Sequence, residues 1–139
     1  MKYISDFRKV ASLDVAGFFV GWPKPPDDDV FRQLLESSYK VVLALDGEKL
    51  VGFITAISDG VLSAYIPFLE VLPQYQSQGI GAELVKRMQG QLSHLYMVDL
   101  LCDQELVGYY EKQGMQPATG AMLRNYQNQS GPGQVKKSS

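Results

Sequence analysis

The sequence predicts an α/β (α+β) protein with a mixed, mostly antiparallel central sheet, one parallel strand pair and helices on both faces. Two patterns support this prediction: apolar, strand-like segments followed by Asp-Gly turns in the first half of the chain, and an alternation of helix and strand in the second half. The 139 residues fit one domain of ordinary size, and 45% of them are apolar, which is enough for a sizeable core.

Two helices are expected before the first strand. Residues 27–29 are aspartates, which favour the start of a helix because they stabilise the positive end of the helix dipole. Residues 21–26 include three prolines and are predicted to be irregular, since proline lacks a backbone donor. The other expected helix spans residues 12–20, with Ser12 as its cap and an apolar side made of Val15, Phe18 and Phe19.

Three strands should follow as an antiparallel meander. They are the segments 39–45, 49–57 and 61–71, which are rich in Val, Leu and Ile. Each of the first two is followed by an Asp-Gly pair, which is a strong hairpin signal. The first three strands are therefore expected to be antiparallel neighbours.

The pattern then changes to helices separated by strands. A helix is predicted over residues 79–92, and a buried strand over 95–101. Because a strand, a helix and a strand follow one another, the third and fourth strands should be parallel. Residues 104–113 are predicted to form a helix ended by Gly114, and a last strand is expected at 115–124.

Composition excludes several classes of function. With 13 basic and 15 acidic residues, the chain has no broad positive field for nucleic acid or an anionic membrane. No segment approaches the roughly 20 apolar residues of a membrane helix, and residues 1–10 do not resemble a signal peptide. The single cysteine, Cys102, allows no intrachain disulfide and suits a cytoplasmic location. One domain is expected over residues 1–127, followed by a disordered polar tail over 128–139.

Residues 71–81, VLPQYQSQGIG, join a strand to a helix through a turn with two glycines. The first turn of a helix binds phosphate through its free N–H groups and its dipole, and Gly79 and Gly81 would let a ligand approach the backbone. Leu84 stands where a dinucleotide fingerprint needs a third glycine, and the P-loop pattern is absent. Taken alone, the glycine pair is equally consistent with a tight structural turn.

The same eleven residues closely resemble the coenzyme A signature of the GNAT acetyltransferase superfamily, in which a strand ending in V-x-P is followed by Q/R-x-x-G-x-G/A. Residues 103–115 resemble that family's N-x-x-A-x-x-F-Y-E-K-x-G-F segment. Asp103 replaces the family Asn, Leu106 replaces an Ala, and Ser77 replaces a common Gly. The resemblance covers about residues 3–124 and implies the acyl-CoA N-acyltransferase fold.

The resemblance implies that acetyl-CoA is the acyl donor and that a primary amine, most simply a small molecule, attacks it directly. It implies no metal, and no cluster in the sequence has metal-ligand spacing. The oligomeric state stays open, with a homodimer as one of the options. The coenzyme-binding residues implied are Leu69, Val71, Gln76, Ser77, Gln78, Gly79, Ile80, Gly81, Asp103 and Tyr110.

Two catalytic roles follow from the resemblance. The backbone N–H of Val71 would stabilise the oxyanion, because in this family the third strand, which contains Val71 here, often splays from its parallel neighbour at a bulge and leaves backbone groups free. Tyr110, with an ordinary phenol pKa near 10, would protonate the thiolate leaving group. Without the resemblance, Tyr109 and Tyr110 both look like packing aromatics; with it, only Tyr109 is assigned to the core.

The general base is left open among Glu70, Tyr65 and Asp59, or an ordered water. Strand alternation puts Tyr65 on the face of Leu69 and Val71, and Glu70 on the opposite face, unless a bulge breaks the alternation. Asp59 lies in a turn, where Asp commonly has only a structural role.

The acceptor site is expected near the first two helices, with Phe19, Trp22 and Tyr39 as candidates. The Gly-Trp-Pro loop and residues 56–60 are similar to the branch that contains plant-type serotonin N-acetyltransferases, although Trp22 could equally anchor the loop. His94 is interpreted as a solvated helix cap and Cys102 as packing. Two other functions stay open: acetylation of a protein or peptide amine, and an acyl-CoA sensor without turnover.

Overall fold

The computed structural model describes residues 1–132. Its centre is a six-stranded sheet in the order β1-β2-β3-β4-β6, with β5 also paired to β3. Only β4 and β6 are parallel to each other, and the other strand pairs are antiparallel. The strands are β1 (Lys2–Ile4), β2 (Lys40–Asp46), β3 (Lys49–Ser58), β4 (Ser63–Tyr65), β5 (Leu69–Val71) and β6 (Met97–Asp99).

Three α-helices accompany the sheet: α1 (Asp28–Ser37), α2 (Ile80–Gln91) and α3 (Val107–Lys112). The Asp27 side chain caps α1 by accepting a 2.9 Å hydrogen bond from the Val30 N–H. At the end of α3, Gly114 takes a φ of +91°, as expected for a C-terminal glycine. Short 3-10 helices lie at Phe7–Ser12, Pro73–Tyr75, Gln104–Leu106 and Tyr126–Asn128.

Helices α1 and α2 cover opposite faces of the sheet. On one face the ring of Phe53 in β3 packs 4.8 Å from that of Phe31 in α1. On the other, a Cβ built on Gly52 would stand 3.2 Å from both Ile80 and Leu84 of α2. Because neighbouring strand residues point to opposite faces, β3 separates two halves of the core. The mixed sheet, its parallel pair and the helices on both faces are thus confirmed.

The helix expected over residues 12–20 is wrong. The chain instead forms the 3-10 helix Phe7–Ser12 and then an irregular segment. Gly17 and Phe19 take φ values of +100° and +61°, which an α-helix cannot contain. Asp14 pairs through its backbone with the start of β3, donating to Glu48 O and accepting from Leu50 N–H, both at 2.9 Å. The apolar side chains expected on that helix, Val15, Phe18 and Phe19, are nevertheless all buried.

The expected third strand, 61–71, is divided by a bulge into β4 and β5. Tyr65 lies opposite Ile57, and Glu70 lies opposite Phe53. These two pairs are four residues apart along β3 but five apart along β4–β5, so one residue is extra. The extra residue reverses the alternation, and Tyr65 shares the α1 face with Glu70 rather than the face of Leu69 and Val71.

The second half of the sheet is shorter than the sequence predicts. Strand β6 covers three residues of the expected 95–101, and it is not buried, since Met97 and Asp99 are both exposed. No strand forms over residues 115–124, so the last expected strand is wrong. Pro117 and Gly120 explain this, because proline lacks a ladder donor and glycine weakens a strand.

Two terminal features were not foreseen. The short strand β1 pairs with β2 at the sheet edge, with Tyr3 opposite Ala44. Residues 128–132, the first part of the tail expected to be disordered, instead fold against the proline-containing loop, where Lys24 N–H donates to Gln129 Oε1 at 2.7 Å. The rest of that tail, residues 133–139, lies outside the described residues.

Candidate active site

An opening in the sheet lies between β5 and the chain that follows β6. The N–H of Ile66 donates to the carbonyl of Asp99 at 2.9 Å, next to the last pair of the parallel β4–β6 ladder. Beyond it, among the described residues, no backbone hydrogen bond joins 67–71 to 100–103. One edge of β5 therefore has backbone groups free to pair with an extended ligand.

The free groups on this edge are those of Leu69 and Val71. The carbonyl of Phe68 and the N–H of Leu72 are bonded to β3, at 3.1 Å and 2.9 Å. Because backbone groups alternate in direction along an antiparallel strand, Leu69 and Val71 point away from β3 into the opening. The Val71 carbonyl accepts a 3.0 Å hydrogen bond from the Gln76 side chain, which leaves the Val71 N–H directed into the opening.

The turn that follows β5 presents the N-terminus of α2. Ser77 and Gly79 both take left-handed conformations, with φ of +63° and +83°. The first helical bond joins the Glu83 N–H to the Gly79 carbonyl at 3.1 Å, and no side chain of the described residues caps the helix. The N–H groups of residues 80–82 are thus available to an anion, in the positive field of the helix dipole.

Other residues assigned to the coenzyme differ in how they could contribute. Gln76 and Gln78 are exposed in the turn. The Ile80 side chain is 4% exposed and packs in the core, so only its backbone can face a ligand. Asp103 is exposed, and its side chain makes no capping hydrogen bond at the 3-10 helix Gln104–Leu106.

The two glycines of the turn have different surroundings. A Cβ built on Gly79 would meet nothing within 4 Å, which leaves room for a ligand. A Cβ built on Gly81 would stand 2.9 Å from the Tyr109 hydroxyl oxygen. Gly81 therefore gives room to Tyr109 of α3, a contact that spans 28 residues and has no local sequence signal, and its role in admitting the ligand stays a prediction.

Tyr110 lies in a partly buried position beside Tyr109, with ring centroids 5.1 Å apart and nearly perpendicular. Burial raises the pKa of the Tyr110 phenol to about 12, with smaller contributions from Tyr109 and Cys102. The ordinary value near 10 expected from sequence is thus wrong, and Tyr110 remains a hydrogen-bond donor across the neutral and alkaline range. Cys102 is exposed, not a packing residue.

Among the candidate bases, Asp59 is held by its own turn. Its carboxylate accepts hydrogen bonds from the backbone N–H groups of Leu62, Val61 and Ser63, at 2.9, 2.8 and 3.2 Å. These bonds lower the pKa of the Asp59 carboxyl to about 2. Such an acid is a weak proton acceptor at neutral pH, so the geometry favours the structural role.

Glu70 and Tyr65 occupy separate places on the α1 face. The two carboxylate oxygens of Glu70 accept from the backbone N–H groups of Phe19 and Val20, at 3.0 and 3.3 Å. Glu70 thereby fixes the loop that carries Phe19. Tyr65 lies instead in a cleft of about 500 Å³ that Asp59 and Asp99 also line.

A second cavity, of about 300 Å³, lies on the α1 face beside Phe68. Phe19 and Trp22 line it together, with their rings 4.9 Å apart. Tyr39 does not line it; its hydroxyl lies 2.9 Å from His94 Nε2, so His94 has a side-chain partner. Phe68 was not found from the sequence, because the bulge hides which face it joins.

The described residues contain neither a metal-binding cluster nor a membrane-spanning helix. Among residues 1–132, no group of three or more His, Cys, Asp or Glu side chains could hold a metal ion. None of the helices in this part of the chain is long and apolar enough to cross a membrane.

The bulged strand, the opening beside it and the uncapped helix after it define the class of protein, since together they form the acyl-CoA N-acyltransferase fold. The chain belongs to the acetyltransferase (GNAT) family, whose family model matches residues 7–115. A crystal structure of a candidate acetyltransferase from Deinococcus radiodurans R1 is similar, with 40% identity, a TM-score of 0.88, and 94% of this chain and 92% of that chain covered.

Curated relatives match over a shorter part of their length. The uncharacterized N-acetyltransferase ycf52 of Pyropia yezoensis is 31% identical, over 68% of this chain and 58% of its own. The GCN5-related N-acetyltransferase 2, chloroplastic, of Arabidopsis thaliana is 29% identical, over 70% of this chain and 46% of its own. The chain thus spans about half of the length of these relatives.

Proposed function

We propose that this protein is an N-acetyltransferase that transfers the acetyl group of acetyl-CoA to the primary amine of a small molecule. The observation that supports this most directly is the free edge of β5, which ends at the uncapped N-terminus of α2. An extended amide-containing arm can pair with such an edge while its phosphates bind at the helix. Coenzyme A has both parts in that order.

The donor would be held mainly by backbone groups. Leu69 and Val71 would pair with the pantetheine arm, and the N–H groups of residues 80–82 would bind the pyrophosphate, with Gln76 and Gln78 exposed beside it. Backbone donors explain how a chain with a net charge of −2 can hold a polyanion. Asp103 would bind the arm through a donor of the ligand, because a carboxylate only accepts hydrogen bonds.

For the reaction, a neutral amine attacks the thioester carbonyl, and the Val71 N–H stabilises the resulting oxyanion. As the intermediate collapses, the C–S bond breaks and the departing sulfur gains a proton, while the nitrogen loses one. Tyr110 is the proposed donor to sulfur. After this donation Tyr110 is a phenolate, and because its pKa is about 12 it must regain a proton at neutral pH. The proton lost by the nitrogen therefore returns to the phenol, and the step balances.

Water or Glu70 would carry the amine proton towards the Tyr110 phenol. Glu70 lies on the acceptor face, but its oxygens already accept two backbone N–H bonds. A carboxylate so occupied is better suited to placing the Phe19 loop than to taking a proton. We therefore favour ordered water as the route, with Glu70 as a positioning residue.

A small acceptor is favoured over a peptide by the size of the cavity. About 300 Å³ is at the lower end of small-molecule sites. A peptide would need an extended groove or a free strand edge on the acceptor face.

We also propose a cytoplasmic location for this protein. The word chloroplastic in the name of the Arabidopsis relative describes that relative.

The test is a thiol-release assay with acetyl-CoA and a panel of amines, together with calorimetric binding of acetyl-CoA. Release with small amines supports the proposal, while release only with peptides points to a protein acceptor. Tight coenzyme binding without release on any amine would make the protein a sensor. The proposal fails if acetyl-CoA does not bind.

A matched pair of variants tests the coenzyme position. Gly79 and Gly47 both have positive φ, and a Cβ on either would meet nothing within 4 Å. Gly79→Asp and Gly47→Asp therefore carry similar backbone strain, but only the first puts a carboxylate at the start of α2. Loss of acetyl-CoA affinity in Gly79→Asp alone is expected; equal affinity in the two variants would contradict the placement.

A further inference from the structure

The cavity on the α1 face is closed on one side by the end of the described chain. Asn128, Gln129, Gly131 and Pro132 line it opposite the aromatic side chains of Phe19, Trp22 and Phe68. We call residues 125–132 the C-terminal wall. Within it the N–H of Asn128 donates to Asn125 O at 2.9 Å and that of Gly131 to Asn128 O at 3.0 Å, so the segment is compactly folded.

Two hydrogen bonds fasten the C-terminal wall to the loop that carries Trp22. Lys24 N–H donates to Gln129 Oε1 at 2.7 Å, and Ser130 Oγ donates to the Lys24 carbonyl at 3.0 Å. Both backbone polar groups of Lys24 are thus bonded to residues more than one hundred positions away. Both hydrogen bonds lie at the protein surface, so they can break and form without exposing a core.

The C-terminal wall also touches α1 closely. Gly131 takes a φ of +80°, and a Cβ built on it would stand 2.7 Å from Val30 Cγ1. Glycine is therefore favoured at this position by its conformation and by its close approach to the helix.

The chemistry of the cavity indicates what it accepts. Its surface is mostly apolar, and its polar groups are neutral, including Gln33 of α1 and Asn128 and Gln129 of the wall. No charged side chain among residues 1–132 lines it. A charged body bound there would lose water without gaining a partner of opposite charge.

We infer that the C-terminal wall determines acceptor specificity, by closing the cavity around amines whose body is apolar and uncharged. This inference rests on the proposed function, since it assigns the cavity to the acceptor. The wall would act as a specificity element because four of the residues that line the cavity belong to it. A variant that releases the wall should lower the apparent affinity for the amine, because only the molecules in which the wall is closed can bind it.

The test uses Trp22, the only tryptophan of the chain, as a reporter inside the cavity. The full-length protein is titrated with 2-phenylethylamine, with and without coenzyme A, and Trp22 fluorescence is recorded. The variant Gln129→Ala/Ser130→Ala removes both bonds to Lys24. Gln127→Ala is the matched control, because Gln127 is exposed in the same segment and does not line the cavity.

A saturable fluorescence change is expected for the wild type, with affinity about tenfold weaker in the double variant and unchanged in Gln127→Ala. Gly131→Ala, which displaces the wall from Val30, should weaken binding similarly. It replaces the double variant in the test if the double variant does not fold. KM for the same amine should rise in parallel, with acetyl-CoA affinity unchanged.

The inference is overturned if 2-phenylethylamine gives no saturable change, if the wall variants bind it as the wild type does, or if spermidine or a short peptide binds more tightly. Failure of the proposed function looks different, because acetyl-CoA would not bind or no thiol would be released. The titration without coenzyme still decides the role of the wall in that case.

Discussion

The hydroxyl of Tyr109 lies against Gly81, so close that a Cβ on Gly81 would stand 2.9 Å from the phenolic oxygen. The next nearest atoms, Tyr109 Cζ and Val71 Cγ2, would be 3.9 Å away, which is ordinary contact. The restriction on residue 81 therefore comes from one oxygen atom. It couples the first turn of α2 to α3, which also carries Tyr110.

Gly81→Ala should accordingly destabilise the protein by about 1–3 kcal/mol, as overpacking commonly does. Tyr109→Phe removes the oxygen, so the double variant Gly81→Ala/Tyr109→Phe should recover most of that loss. Urea unfolding of the four proteins in a double-mutant cycle measures the coupling. Additive effects would show that the glycine is needed for another reason, such as approach of the coenzyme.

Ser77 has a left-handed backbone conformation, with φ of +63°. An L-residue pays for that conformation and glycine hardly does. Ser77→Gly should therefore raise the free energy of unfolding by about 0.5–1 kcal/mol. Ser37→Gly, a change within α1, is the control and should not raise stability. A destabilised Ser77→Gly protein would contradict this explanation.

Tyr110→Phe should reduce kcat by about 10²-fold or more while acetyl-CoA affinity changes far less, because the proposed role of the lost hydroxyl is to protonate the departing sulfur. Tyr96→Phe is the control, since Tyr96 is 82% exposed. With a pKa near 12, Tyr110 remains protonated well above pH 10, so its ionisation should produce no alkaline fall of kcat below about pH 11. Unchanged kcat in Tyr110→Phe would remove Tyr110 from the mechanism.

Asp59 should affect stability in acid rather than catalysis. Its pKa is lowered from 3.8 to about 2 by three backbone N–H groups, so its stabilising effect is present above about pH 4 and is lost as pH falls through 2. Asp59→Asn should lower stability at pH 6, and the difference from the wild type should vanish near pH 2. Thermal unfolding over that range checks this. A large loss of kcat at unchanged stability would instead identify Asp59 as the base.

Local features of the fold were predictable from the sequence. The β2–β3 hairpin, α1, α2 and the ending of α3 at Gly114 depend on residues within a few positions, through turn chemistry, capping and apolar periodicity. The turn after β5 was recognised in the same way. Its N–H groups belong to consecutive residues, so their availability follows from the helix start alone.

The rest required the tertiary structure. One extra residue at the bulge placed Tyr65 and Glu70 on one face, and residues 115–124 formed no strand. The cavity brought Trp22 of the early loop together with Gln129 near the other end of the chain. Sequence thus determined where a helix start presents free N–H groups, because that feature is local. Only tertiary structure decided what lines the cavity proposed for the acceptor, because its walls come from segments about one hundred residues apart.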